Sequence, residues 1–200
     1  GTTLTIKGSG AMNNYNEVNK APWYKYREEI TTVILPEKLE SIGILSFYNC
    51  TALKSVVIPD KVQKISEKAF YNCNSLRTVV LGNSLKTIGR AAFYRCESLA
   101  SITFPNSLET IGDKAFYFCR SIVTLTIPEG VKSLGKQAFT YCESLLRVEI
   151  KAKIKTIPEW CFYGCESLSE IKLSDTITNI DPYAFKRCDN LVTIYCSDKK

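Results

Sequence analysis

Leu53-Lys54-Ser55-Val56-Val57-Ile58-Pro59-Asp60-Lys61-Val62-Gln63-Lys64-Ile65-Ser66-Glu67-Lys68-Ala69-Phe70-Tyr71-Asn72-Cys73 decides the fold, because its pattern returns every 23 residues. Phe stands at Phe47, Phe70, Phe93, Phe116, Phe139, Phe162 and Phe185. Three residues after each comes Cys50, Cys73, Cys96, Cys119, Cys142, Cys165 or Cys188, and three further on an aliphatic from Leu53 to Leu191. Two more columns keep the step, one from Leu39 through Val62 to Ile177 and one from Ile42 through Ile65 to Ile180. A fixed period without insertions is the mark of a solenoid, whose units stack on their neighbours.

Within one unit, Val56 and Ile58 alternate with Ser55 and Val57 at the period of a strand. Pro36, Pro59, Pro105 and Pro128 end that strand, since proline offers no N–H to a ladder. Val62 and Ile65 turn the chain inward again on a short extended segment. Ser66 to Cys73 reads as a helical turn, with Ser66 accepting from the first amides, and Asp181-Pro182 repeats that chemistry in the last unit.

About seven buried apolar side chains contribute roughly 1.5–3 kcal/mol each. Ordering 23 residues costs about 1.5 kcal/mol apiece, so a unit is stable only when stacked. Strands stack at about 4.8 Å and helices need more room. The predicted class is therefore an α/β repeat solenoid. It is expected to be a right-handed horseshoe with a parallel β-sheet on the concave side and short helical turns on the convex side.

Residues 1–30 read as an N-terminal cap: Leu4-Thr5-Ile6 as a strand, Gly8-Ser9-Gly10 as a turn, then the aromatic cluster Tyr15, Trp23, Tyr24 and Tyr26. Residues 31–200 form the solenoid of about seven units, opening on a half unit at Ile30, Val33, Ile34, Leu35 and Pro36. Ser197-Asp198-Lys199-Lys200 follows a complete strand without a polar cap, so further units are expected beyond it.

Composition narrows the function. The chain of 200 residues holds no histidine, which removes Ser-His-Asp, Cys-His and HExxH chemistry together. A net charge of +6 is too small to imply nucleic acid without a basic face. No apolar run is long enough to insert in a membrane. Gly8-Ser9-Gly10 lacks the later glycine and helix of a dinucleotide loop, and Glu28-Glu29 are adjacent and point apart. No catalytic residue, cofactor or metal is expected.

The unit Ala-Phe-x-x-Cys-x-x-Leu-x-x-Val-x-Ile-Pro-x-x-Val-x-x-Ile-Gly resembles the BspA-like, or Treponema-type, leucine-rich repeat. The lead-in from Gly1 to Met12, with Pro22-Trp23, is similar to that family's cap. The resemblance implies a strand-lined horseshoe on a bacterial surface or in secretions, with an adhesive role toward host proteins or other cells. The implied partner is a protein or glycan, host-derived ligands included, with self-association a further possibility. The stretch from Gly1 to Lys200 contains no export signal, so the extracellular location rests on the resemblance. A stiff spacer within a larger surface protein is the alternative.

Every one of the nine cysteines falls where the repeat puts a small or apolar side chain. Cys161 takes the place of Ala69, Ala92 and Ala115, and Cys196 that of Ile58 and Ile127. Buried cysteine behaves as a small hydrophobe, so nine free thiols are predicted.

Candidate binding residues are those that break their column. Trp160 and Tyr183 stand in a column of Lys68, Lys114 and Gln137, and Phe118 and Tyr141 in one of Asn49, Asn72 and Arg95. Large aromatics on polar columns mark either a contact patch or rings covered by long neighbours. Tyr48, Tyr71, Tyr94, Tyr117 and Tyr163 repeat faithfully and read as packing. On the strand face the outward positions become charged at Arg147, Glu149, Lys151, Glu170 and Lys172. Stacking sets Arg147 beside Glu170 and Glu149 beside Lys172.

Overall fold

The computed structural model describes residues 1–196; the stretch from Ser197 to Lys200, and with it the reading made there, lies outside them. The chain winds as a coil of 23-residue turns around one apolar core. Residues one period apart are paired: Thr124 with Arg147, Val148 with Ile171, Ile42 with Ile65 and Ile65 with Ile88, all in parallel register.

Each coil has three sides. The front strands Thr2–Thr5, Ile30–Ile34, Ser55–Val57 and Thr78–Val80 form one parallel sheet. Thr124–Ile127, Arg147–Ile150, Glu170–Leu173 and Thr193–Cys196 form a second. On the next side, short strands run from Gly10–Ala11 through Leu39–Ile42, Lys64–Ile65, Thr87–Ile88 and Thr110–Ile111 to Ser133–Leu134. Thr156–Ile157 and Asn179–Ile180 then pair separately.

The third side corrects the expectation of short helical turns. Among the described residues there is no α-helix, and the one helical segment is a 3-10 turn at Tyr24–Tyr26 in the cap. The Ala-Phe-x-x-Cys segment is a pair of tight turns. Two of its columns carry positive φ: Leu45, Lys68, Ala91, Lys114, Gln137 and Trp160 in one, Asn49, Asn72, Arg95, Phe118, Tyr141, Gly164 and Arg187 in the other. This backbone aims its amides along the coil axis instead of down a helix. Phe47 N–H donates to Ala69 O at 2.8 Å, Asn49 N–H to Tyr71 O at 2.8 Å, and the pattern repeats coil after coil. The turn side is thus a third ladder, in which the backbone amides of the Ala-Phe-x-x-Cys segment that bond between coils all donate to the coil that follows.

That ladder removes the reason for a strongly curved horseshoe. The buried Phe column stacks from Phe47 to Phe185 at 5.1 to 5.5 Å, close to the spacing of strands and far from that of helices. The roles read for Ser66 and Asp181 change accordingly. Ser66 N–H continues the side ladder to Ile42 O, and Asp181 Oδ1 accepts Tyr183 N–H in a turn at 2.9 Å.

The core is the set of columns read from the sequence: Phe47 to Phe162, Leu53 to Leu168 and, apart from the partly buried Leu134, Ile42 to Ile157 are buried. Eight of the nine free cysteines are buried with them. From Cys73 to Cys188 the thiols of the column donate to the carbonyl of the Phe 26 residues earlier, as Cys73 Sγ to Phe47 O at 3.2 Å and Cys119 Sγ to Phe93 O at 3.2 Å. Cys196 departs from the expected burial: it is exposed, because no described coil covers it.

Both sheets split, each at an identifiable residue. Gly89, Gly112 and Gly135 donate their N–H to the coil before, Gly135 to Ile111 O at 2.8 Å. Pro158 occupies that column without an N–H, so the side sheet stops at Leu134 and restarts at Thr156. On the front, Ser101 makes only an isolated bridge to Thr78 and Ile102 to Phe104 join no strand. Phe104 fills a column that elsewhere holds Ile58, Leu81 or Ile127, and packs edge-on against Phe116 at 5.6 Å. The larger ring holds its segment out of the ladder.

Candidate functional site

The aromatic candidates lie on the turn side and form one connected run. Tyr48, Tyr71, Tyr94 and Tyr117 stack at 5.1, 4.6 and 5.0 Å. Their faces cover one another, so the column shows solvent its edges and hydroxyls. The next coil places Thr140 in that column, fully buried, with its hydroxyl on Trp160 O. Tyr141, one position on, fills the gap and meets Tyr117 and Tyr163 edge-on at 5.9 and 5.4 Å.

Phe118 and Tyr141 stack on each other at 4.7 Å, perpendicular to the tyrosine column. Gly164 makes room for Tyr141: a Cβ there would come within 2.6 Å of the ring's Cδ1. Trp160 stacks on Tyr163 at 4.8 Å and tilts toward Tyr183 at 6.0 Å. The structure therefore brings Phe118, Tyr141, Trp160 and Tyr183 together through Tyr163. Neighbouring rings half-bury the first three, and Tyr183 remains exposed.

Cations border the run, which column reading did not single out. The Arg120 and Arg95 guanidinium carbons lie 4.8 and 5.3 Å from the Phe118 centroid, and Lys186 Nζ lies 5.2 Å from that of Tyr183. Burial pushes the Tyr141 hydroxyl above its ordinary range, with its hydrogen bond to Tyr163 adding to the shift and Arg187 opposing it. The signal available in the sequence was Gly164 beside Asn49 and Asn72. These residue types favour left-handed backbone, so their column announces a turn where Phe118 and Tyr141 are costly.

The charged candidates sit on the front sheet, apart from the rings. Arg147 Nε lies 3.3 Å from Glu170, and Glu149 receives Lys172 at 3.1 Å and Lys151 at 3.5 Å. Burial raises the Glu149 carboxyl, but the two ammonium groups outweigh it and hold it below the usual carboxylate range. Lys151 also borders an open groove of ≈ 620 Å³ at the split in the front sheet, lined by Thr103, Asn106, Thr124, Thr126 and Glu129 among others. Among the described residues, no group of three or more His, Cys, Asp or Glu side chains is placed to hold a metal ion. No helix there is long and apolar enough to cross a membrane.

A family profile described as the BspA type leucine rich repeat region matches residues 20–145 and 86–200, in six copies. The chain belongs to the BspA-type leucine-rich repeat family. Two solved leucine-rich repeat proteins share the coil. A leucine-rich repeat protein from Bacteroides ovatus is 38% identical over 78% of this chain, with a TM-score of 0.75. The T. pallidum leucine rich repeat protein TpLRR is 31% identical over 81% of this chain and 78% of its own, with a TM-score of 0.76. The chain spans 41% of the length of the Bacteroides protein. The pneumococcal vaccine antigen PcpA, 18% identical over 98% of this chain and 67% of its own with a TM-score of 0.54, shares the fold. No curated protein matches the chain.

Proposed function

We propose that this BspA-type repeat is a non-catalytic recognition and adhesion module that works outside the cell and holds a protein or glycan against its repeat surface. The observation that carries the reading is the Phe118–Tyr141 pair. Both residues have φ near +59°, a conformation that costs an ordinary residue roughly 1–2 kcal/mol. Asn or Gly would fill those positions at less strain, as Asn49, Asn72 and Gly164 do. Large rings at strained positions, bordered by Arg95 and Arg120, favour a site under functional demand over packing alone. The extracellular setting follows the family resemblance.

Capture assays with immobilised protein against matrix proteins and cell-wall glycans test the reading. Retention should fall at least tenfold with Tyr141→Ala or Trp160→Ala. Reversing Arg147, Lys151 and Lys172 tests the front face in the same assay. A stiff spacer is the second reading, favoured by the continuous ladder of Phe amides from Phe47 to Phe162 and the even ring spacing from Phe47 to Phe185. Retention of nothing from either pool would decide for the spacer.

A further inference from the structure

The cap finishes the solenoid at every column of the turn side except one. In the one-directional ladder each coil offers three carbonyls to the coil before it, as Glu67, Ala69 and Tyr71 do to Leu45, Phe47 and Asn49. The first coil's equivalents are Ile44, Ser46 and Tyr48. Ile44 O receives Tyr15 N–H at 2.9 Å. Ser46 O receives the indole N–H of Trp23 at 2.8 Å, and the same indole stacks on Phe47 at 5.9 Å to end the Phe column. One side chain thus closes a ring stack and a carbonyl together.

Tyr48 receives neither. Its ring stacks on Tyr71, and among the described residues no ring lies on its cap-side face and no donor reaches its carbonyl. The space there is a hollow of ≈ 440 Å³ walled by Tyr48, Tyr71, Tyr15 and Tyr24, with Lys20 and Glu17 at its rim. That size is within the range of small-ligand sites, roughly 300–1,000 Å³. The walls are braced in advance. Asn16 Oδ1 accepts the amides of Val18 and Asn19 at 2.9 and 2.6 Å, and Lys20 and Arg27 both lie 4.5 Å from the Tyr24 centroid.

We propose that this hollow binds one planar ring carrying an N–H, an indole, stacked on Tyr48 and donating to the Tyr48 carbonyl. Trp23 shows on the neighbouring column how such a ring meets both demands at once. A free indole compound and the tryptophan side chain of a partner present this same chemistry. The site lies at the cap and does not depend on the rings at Phe118 and Tyr141.

The test is titration of the folded chain with indole, 1-methylindole and N-acetyltryptophanamide, followed by amide chemical shifts around Tyr48 and Tyr71. Indole should saturate with a Kd of about 1 mM or tighter, and 1-methylindole, which lacks the donor, should bind about tenfold more weakly. Tyr48→Leu should abolish saturation, Tyr24→Ala should weaken it with the tyrosine column intact, and Tyr183→Leu should leave it unchanged. Tighter binding of N-acetyltryptophanamide than of indole would support the proposal and name a partner's side chain as the source. The reverse order would support it with a free compound. Equal affinity for indole and 1-methylindole would overturn it, as would no saturation by about 5 mM or indifference to both cap-site variants.

Discussion

Phe118 and Phe93 are the same residue type 25 positions apart, and they owe the fold different things. Phe93 is fully buried between Phe70 and Phe116 at 5.2 Å on each side. Phe93→Ala should cost about 3–5 kcal/mol in urea unfolding, as large-to-small changes in cores do. Phe118 stacks on Tyr141 but holds a left-handed backbone. Its stack contributes about 0.5–1.5 kcal/mol, and its strain costs a similar amount. Phe118→Asn should therefore change stability by less than about 1 kcal/mol, with capture of a ligand lost. A cost near that of Phe93→Ala would show that Phe118 is core. The Phe column was legible because burial demands the same side chain in each coil. The left-handed column was legible only in part: Asn49, Asn72 and Gly164 announce it, but Phe118 and Tyr141 carry no mark of the φ they adopt.

At the scale of elements, the two sheet interruptions trace to single residues and make opposite predictions about repair. Phe104→Ile should let residues 101–104 rejoin the front ladder, raising amide protection at Ile102 and Phe104 and closing the groove beside Thr124. Unchanged exchange there would show that the ring is not what holds the segment out. Pro158→Ala should supply the N–H that Leu134 O lacks and join the two side sheets. The gain is about 1 kcal/mol, the ordinary net value of one hydrogen bond, read as a higher urea midpoint. Strand existence followed from alternation at Val56 and Ile58. The splits needed the neighbouring coils, since Phe104 alternates as correctly as Ile127. The turn side misled for a physical reason: Ser-x-x-Ala-Phe-x-x-Cys satisfies the spacing of a helical turn equally well. Hydrogen bonds to the next coil, at 2.7 to 3.2 Å, decide for the turn.

For the whole molecule, the thiol column makes stability depend on pH. Burial holds Cys50, Cys73, Cys96, Cys119, Cys142, Cys161 and Cys165 above the ordinary thiol range, while a hydrogen bond from Cys165 draws Cys188 below it. Unfolded thiols ionise near pH 8.5. Above that value the unfolded chain sheds protons that the native chain keeps, so stability falls as pH rises. Each thiol that keeps its proton in the native chain removes about 1 kcal/mol between pH 7 and 9, and Cys188, which ionises earlier in the native chain, offsets part of that loss. Urea unfolding under reductant at pH 7, 8 and 9 should show that loss, and Cys73→Ala with Cys119→Ala should lessen it. A midpoint that stays put to pH 9 would mean that the thiols are not sealed in the core. The 23-residue period by itself determined the coil, its register and the buried columns, since a period equal to one turn makes sequence-equivalent residues neighbours. Only the tertiary structure decided what lies on the turn side and at its capped end. There the backbone conformation depends on the coil stacked against it, and the unmatched face and carbonyl of Tyr48 depend on where the cap's own groups come to rest.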